Sequence, residues 1–143
     1  MKASEKVRHD VLKAMDDAMK AYADRDMEKA LSCYAKDNDF VSIGTGKDEI
    51  MRGPEEMKKA LQEVYEQTEK FSFKSKVFEV SACGDVAWVS GAGIYDIVAE
   101  GEKIKMEGRF TVIFERRDGK WLMVHSHYSL PAEQDDGSVL PEE

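Results

Sequence analysis

The chain has 143 residues, of which 42% are hydrophobic and 35% charged, with a formal net charge of -8. That length suits one domain around one core, and the excess acid excludes nucleic acid and anionic membrane surfaces as partners, because both need clustered Lys and Arg. No stretch approaches the roughly 20 apolar residues that span a bilayer. The start, Met1 to Lys6, lacks the apolar run of a secretory signal. Cys33 and Cys83 belong to no C-x-x-C pair and read as reduced, buried thiols. A cytoplasmic protein is therefore expected.

Ser4 is a fair N-cap, and Glu5 suits the positive end of a helix dipole. Val7, Val11, Leu12, Met15, Ala18, Met19 and Tyr22 then recur at helical spacing and form one apolar stripe. Asp26 caps a short second helix that turns Met27, Ala30, Leu31 and Tyr34 inward, and Lys36-Asp37-Asn38 breaks it. Phe40 to Ile43 reads as a short strand and Gly44 to Asp48 as a loop. The two glycines of that loop do not complete a phosphate-binding pattern, and Asp48 and Glu49 oppose one. Gly53-Pro54-Glu55-Glu56 starts a third helix, whose apolar face is Met57, Ala60, Leu61, Val64 and Tyr65.

Four long strands follow: Phe71 to Ala82, Val86 to Val98, Lys103 to Arg116 and Trp121 to Leu130. In the last hairpin, a three-residue loop Asp118-Gly119-Lys120 pairs Arg117 with Trp121, Phe114 with Val124, Val112 with Ser126 and Phe110 with Tyr128. Side chains alternate between the two faces of a strand. One face is then Phe110, Val112, Phe114, Leu122, Val124, Ser126 and Tyr128. The other holds Arg109, Thr111, Ile113, Glu115, Trp121, Met123, His125 and His127. The first should meet the helices. Residues 1–131 read as one domain, and 132–143 as an acidic, flexible tail with little to bury.

This order of elements resembles the nuclear transport factor 2-like superfamily, and most closely its SnoaL-like subgroup. The resemblance is carried by Asp26-Met27-Glu28 leading to Tyr34-Ala35, by Phe40 to Gly44, by Arg52-Gly53 and by Arg109-Phe110-Thr111. Asp118-Gly119-Lys120-Trp121 followed by His127-Tyr128-Ser129 completes it. The terminal hairpin is also similar to the association domain of calcium/calmodulin-dependent kinase II. The resemblance implies an α+β fold, a curved antiparallel sheet wrapped over three N-terminal-half helices like a cone. It implies a small-molecule site inside the cone and a homodimer through the outer face of the sheet.

The ketosteroid isomerases of this superfamily need a carboxylate base and a hydrogen-bond donor beside the substrate carbonyl. The resemblance places those positions at Ser42 and Ala18, and neither supplies the function. The arginines that line the kinase association domain pocket fall on Gly93, Val112 and Tyr128, so that anion site is not carried over. What remains is a small, largely apolar ligand site at Ser42, Tyr95, Phe110, Val112, Ser126 and Tyr128. The alternative arrangement is a core filled by Phe110, Val112 and Phe114 themselves. No catalytic residue is assigned, and no cofactor or metal is expected. His125 and His127 leave one strand face together, but no third ligand is evident. Arg109 is expected on the outer face, paired with Glu107 or with a second subunit. Trp88 is expected either in the core or as an interface anchor. The functional alternatives are a SnoaL-like isomerase, cyclase or hydratase acting beside a carbonyl, and an oligomerisation module.

Overall fold

A computed structural model describes residues 1–132; the acidic segment read as a tail lies, from residue 133 on, outside the described residues. The first helix, α1, runs Glu5–Ala23 and is capped as expected, with Ser4 Oγ accepting from the Val7 N–H at 3.3 Å. Its stripe buries Val11, Met15, Ala18 and Ala21. Helix α2, Met27–Ser32, starts at Asp26, whose carboxylate accepts from the Lys29 N–H at 3.1 Å. It ends at Cys33, ahead of the expected break at Lys36. After the strands β1 (Val41–Ile43) and β2 (Ile50–Arg52), α3 runs Gly53–Gln67 with Pro54 in its first turn. The Glu56 carboxylate reaches back to the Arg52 N–H at 2.8 Å and satisfies one of the free donors at that end. Met57 and Leu61 are buried.

The long strands are β3 (Lys70–Cys83), β4 (Val86–Ala99), β5 (Glu102–Arg117) and β6 (Lys120–Ser129). They join β1 and β2 in one curved, unclosed six-stranded sheet of order β2-β1-β6-β5-β4-β3. The architecture is α+β, as read from the sequence. Two features differ from the expectation. The sequence pattern assigns no element to Ile50–Arg52, where β2 lies, and β1 runs parallel to β6, with Ser42 opposite Ser126, so the sheet is not wholly antiparallel. A three-residue strand such as β2 has too little alternation to be visible alone; pairing with β1 creates it. Residues 1–3 cover part of the free edge of β3, with Ala3 N–H donating to Val80 O and Ala82 N–H to Met1 O.

The terminal hairpin corrects the expected register near its turn. Arg117 pairs with Lys120, so the loop is Asp118-Gly119 alone, with φ of 50° and 78°. Positive φ at both positions is what a two-residue type I′ turn requires. Arg116 therefore faces Trp121, and Phe114 faces Met123. A bulge at Val124 then shifts the ladder by one residue, restoring the expected pairs Val112 with Ser126 and Phe110 with Tyr128. Trp121 and Met123 are thus buried, while Leu122 and Val124 are only half-buried. Burying a tryptophan and a methionine removes more apolar area from water than burying a leucine and a valine. Arg117 also binds Asp37 through two nitrogens, at 2.8 and 2.6 Å, and ties the segment after α2 to the hairpin.

The main core lies between α1 and the concave face of the sheet: Val11, Met15, Val80, Val89, Phe110, Val112, Phe114, Trp121 and Met123. A second cluster joins the helices to β1 and holds Ala21, Ala30, Phe40, Met57 and Leu61.

Candidate functional site

Toward the turn of the last hairpin the concave face is closed by packing. Val112 has no exposed surface and Phe110 only 3%, and both belong to the core cluster that holds Val11 and Met15 of α1. Ser42 and Ser126, side by side on β1 and β6, are buried and share a hydrogen bond of 2.7 Å between their hydroxyl oxygens. That bond satisfies two hydroxyls that would otherwise be costly to bury.

Toward the other end, where β6 finishes and β3 begins, the face becomes aromatic and half-open. Tyr95 of β4 packs on Phe73 of β3 with centroids 4.7 Å apart, and Tyr128 of β6 lies 5.9 Å from Phe73. Phe71 stands 5.9 Å from Tyr95, and Tyr22, at the end of α1, stands 5.3 Å from Phe71. Tyr65 of α3 continues the wall at 5.9 Å from Tyr22. Two glycines make room for it. A Cβ on Gly93 would come within 2.4 Å of the Phe73 ring, and one on Gly108 within 2.9 Å of the Tyr95 ring. A crevice of about 290 Å³ runs along the seam of α1 and β3, past Asp16, Met19 and Phe73.

Tyr65 donates to the Tyr22 carbonyl at 3.1 Å. The phenols of Tyr22, Tyr34, Tyr95 and Tyr128 have no hydrogen-bond partner among the described residues, and none is sealed from solvent. A buried polar group without a partner is costly, so these oxygens must look onto a space that admits water or a ligand. Burial pushes all four phenols up, that of Tyr128 to about 12. Neighbouring phenols add to the rise at Tyr22, Tyr34 and Tyr95, and the Glu49 carboxylate adds to it at Tyr22 and Tyr95. All four are neutral donors at physiological pH.

Glu49 reaches this end by strand alternation. Ser42 is paired with Met51, and the Gly44 N–H donates to the Glu49 carbonyl at 2.8 Å, so Glu49 and Met51 share the concave side. Met51 packs into the second core cluster, which Tyr22 and Tyr34 also join. The Glu49 side chain lies along its own loop, where a Cβ on Gly44 or Gly46 would collide with its carboxylate oxygens. These glycines, unpromising for phosphate, serve to seat a carboxylate.

Of the residues expected to line a site, Tyr95, Phe110 and Tyr128 come together around Phe73. Ser42 and Ser126 meet each other, and Val112 lies deeper in the core. Tyr22, Tyr34, Phe71, Phe73 and Glu49 were not foreseen. The signal for the phenylalanines was present, since Phe71 and Phe73 alternate at the start of β3. That for Tyr22 was its place one helical turn beyond Ala18. Nothing local marks Glu49. His125 and His127 sit on the outer face opposite Ile113 and Thr111, and no group of three or more His, Cys, Asp or Glu able to hold a metal occurs among the described residues. Arg109 reaches the Leu130 carbonyl at 3.5 Å rather than Glu107.

Aromatic rings and small residues lie inside a curved sheet with helices across its concave side, and residues 11–133 match the SnoaL-like domain. The chain belongs to the SnoaL-like family. No curated protein matches it. Among solved structures, the SnoaL-like fold here is similar to a nuclear transport factor 2-like superfamily protein from Salmonella enterica serovar Typhimurium. That pair has 16% identity and a TM-score of 0.84, covering 96% of this chain and 100% of the other. A ketosteroid isomerase-like protein from Erwinia carotovora atroseptica is similar at 18% identity and a TM-score of 0.75, covering 87% and 96%. A protein from Xanthomonas campestris, provisionally described as a calcium/calmodulin dependent protein kinase II association domain, is similar at 24% identity and a TM-score of 0.73, covering 87% of each chain. These likenesses are of fold. No helix in the described residues is long and apolar enough to cross a membrane.

Proposed function

We propose that this SnoaL-like protein binds a small, largely apolar molecule at the aromatic end of its cone and works as a homodimer in the reducing cytoplasm. The observation that carries the binding role is the set of four phenols, Tyr22, Tyr34, Tyr95 and Tyr128, that are lodged among packed rings and make no hydrogen bond within the described chain. Apolar area removed from water supplies the affinity, at about 25 cal/mol per Å². A phenol supplies orientation, at about 1 kcal/mol for each neutral hydrogen bond. Catalysis beside a carbonyl is disfavoured at the positions the resemblance selects. The Ser42 hydroxyl is committed to Ser126, and Ala18 has no donor. The two free thiols, Cys33 and Cys83, are compatible with the cytoplasm.

The experiment is a thermal melt against bicyclic aromatic alcohols. A ligand that binds only the folded state raises stability by RT ln(1 + [L]/Kd), about 2.7 kcal/mol at a hundred times Kd. The melting temperature should therefore climb with concentration. A flat response across such a panel rejects the binding role.

A further inference from the structure

The charge distribution at the aromatic end narrows the ligand class. Strand alternation directs Phe71 to Val77 of β3, Ala87 to Ile97 of β4, Ile104 to Phe114 of β5 and Trp121 to Tyr128 of β6 onto the concave face at every second position, the bulge apart. None of the residues so directed carries a charge. Among the charges on this side is the carboxylate of Glu49, which has no ion pair or side-chain hydrogen bond among the described residues. The rings of Tyr22, Phe71 and Tyr95 form a continuous wall, and ring faces attract cations through their quadrupole. The same wall already holds a cation at its edge. The Arg25 guanidinium lies 4.7 Å from the centre of the Tyr65 ring and is tied down by the Tyr65 and Thr68 carbonyls.

We propose that this end of the cone selects an organic cation, an apolar or aromatic body bearing a protonated amine, with Glu49 as its counter-charge and the Tyr22 and Tyr95 rings around the ammonium. This deepens, and rests on, the reading of the cone as a binding site. Three further arguments favour it over a carboxylate-bearing ligand. The long strands direct no arginine, lysine or histidine onto this face to receive an anion. Glu49 repels one. The net charge of -8 draws cations toward the protein from solution. Phenols accept hydrogen bonds as well as donate them, so an ammonium finds acceptors at Tyr22 and Tyr95 once Glu49 has attracted it.

The test is calorimetric titration of one aromatic body in three forms: naphthalenemethylammonium, naphthalenemethanol and naphthoate. The wild-type chain should bind the ammonium about tenfold more tightly than the alcohol, a difference of about 1.4 kcal/mol, and the acid least. Glu49→Gln should bring the ammonium down to the level of the alcohol and leave the alcohol unchanged. Glu49 makes no side-chain hydrogen bond among the described residues, so circular dichroism should show the variant folded. As a second measure on the wild type alone, the ammonium preference should shrink from about 20 mM to about 0.5 M salt, because an exposed carboxylate is screened. Alcohol binding with no gain for the ammonium, or a gain that survives both Glu49→Gln and high salt, overturns the amine preference and leaves the binding site standing. Failure of all three forms to bind removes the site and the preference together.

Discussion

Tyr128 has two roles that can be separated. Its ring is structural, lying 6.1 Å from Phe110 and 5.9 Å from Phe73. Its hydroxyl has no partner in the described chain. Tyr128→Phe should therefore leave stability at neutral pH unchanged and weaken an oxygen-bearing ligand by about 1 kcal/mol, the net worth of a neutral hydrogen bond. The same phenol predicts behaviour in alkali. Burial raises it to about 12 in the folded chain, against about 10 when unfolded. Between those values the unfolded chain has lost a proton that the folded chain retains, so stability falls as pH rises. The contribution is complete below pH 10 and lost as pH climbs through 12. Tyr22, Tyr34 and Tyr95 are raised in the same direction and steepen the decline. Melting temperatures between about pH 9 and 12 should fall, and should fall less for Tyr128→Phe. Equal slopes for the two proteins would show that this phenol is not desolvated.

At the scale of elements, the last hairpin carries the most information. Gly119 has a φ of 78° and follows Asp118 at 50°. Gly119→Val places a branched side chain in the left-handed region and should cost about 1–2 kcal/mol. Gly119→Asn should cost clearly less, because asparagine tolerates that region. Urea midpoints separate the two, and identical midpoints would argue against a turn of this type. The turn also explains how much of the fold was legible. A three-residue loop without a bulge, and a two-residue loop with one extra residue at Val124, produce the same pairing from Val112 and Ser126 onward. The alternation of β5 therefore yielded the distal pairs and the inward direction of Tyr128. It did not place Trp121 and Met123, whose side depends on where the extra residue sits. The site was legible to the same degree. Tyr95, Phe110 and Tyr128 follow from strand parity. Tyr22 and Glu49 arrive from elements whose placement is decided by long-range packing: the end of α1 against the start of β3, and a strand, β2, that exists only through its partner.

At the scale of the whole molecule, the two faces of the sheet have opposite needs. The concave face is covered by helices. On the convex face, Trp88, Ile113 and His125 lie side by side across β4, β5 and β6, with Val41 of β1 next in the row. Trp88 is half-buried, and Ile94 and Val86, on the same strand face, are 44% and 38% exposed. Water is a poor neighbour for such a row, and a second copy meeting it across a two-fold axis would set Trp88 near the centre of an isologous contact. On this reading the protein scatters light as a species of twice the chain mass at tens of micromolar, and its melting temperature rises with protein concentration. Trp88→Glu puts a charge into the middle of that contact and should yield a monomer. The aromatic end of the cone opens on the opposite side of the sheet from Trp88. The monomeric variant should therefore still bind the aromatic alcohols, at a reduced melting temperature. A wild-type chain that scatters as a monomer rejects the dimer. A Trp88→Glu monomer that has lost ligand affinity while remaining folded would show instead that the two faces are not independent, and that the second copy shapes the mouth.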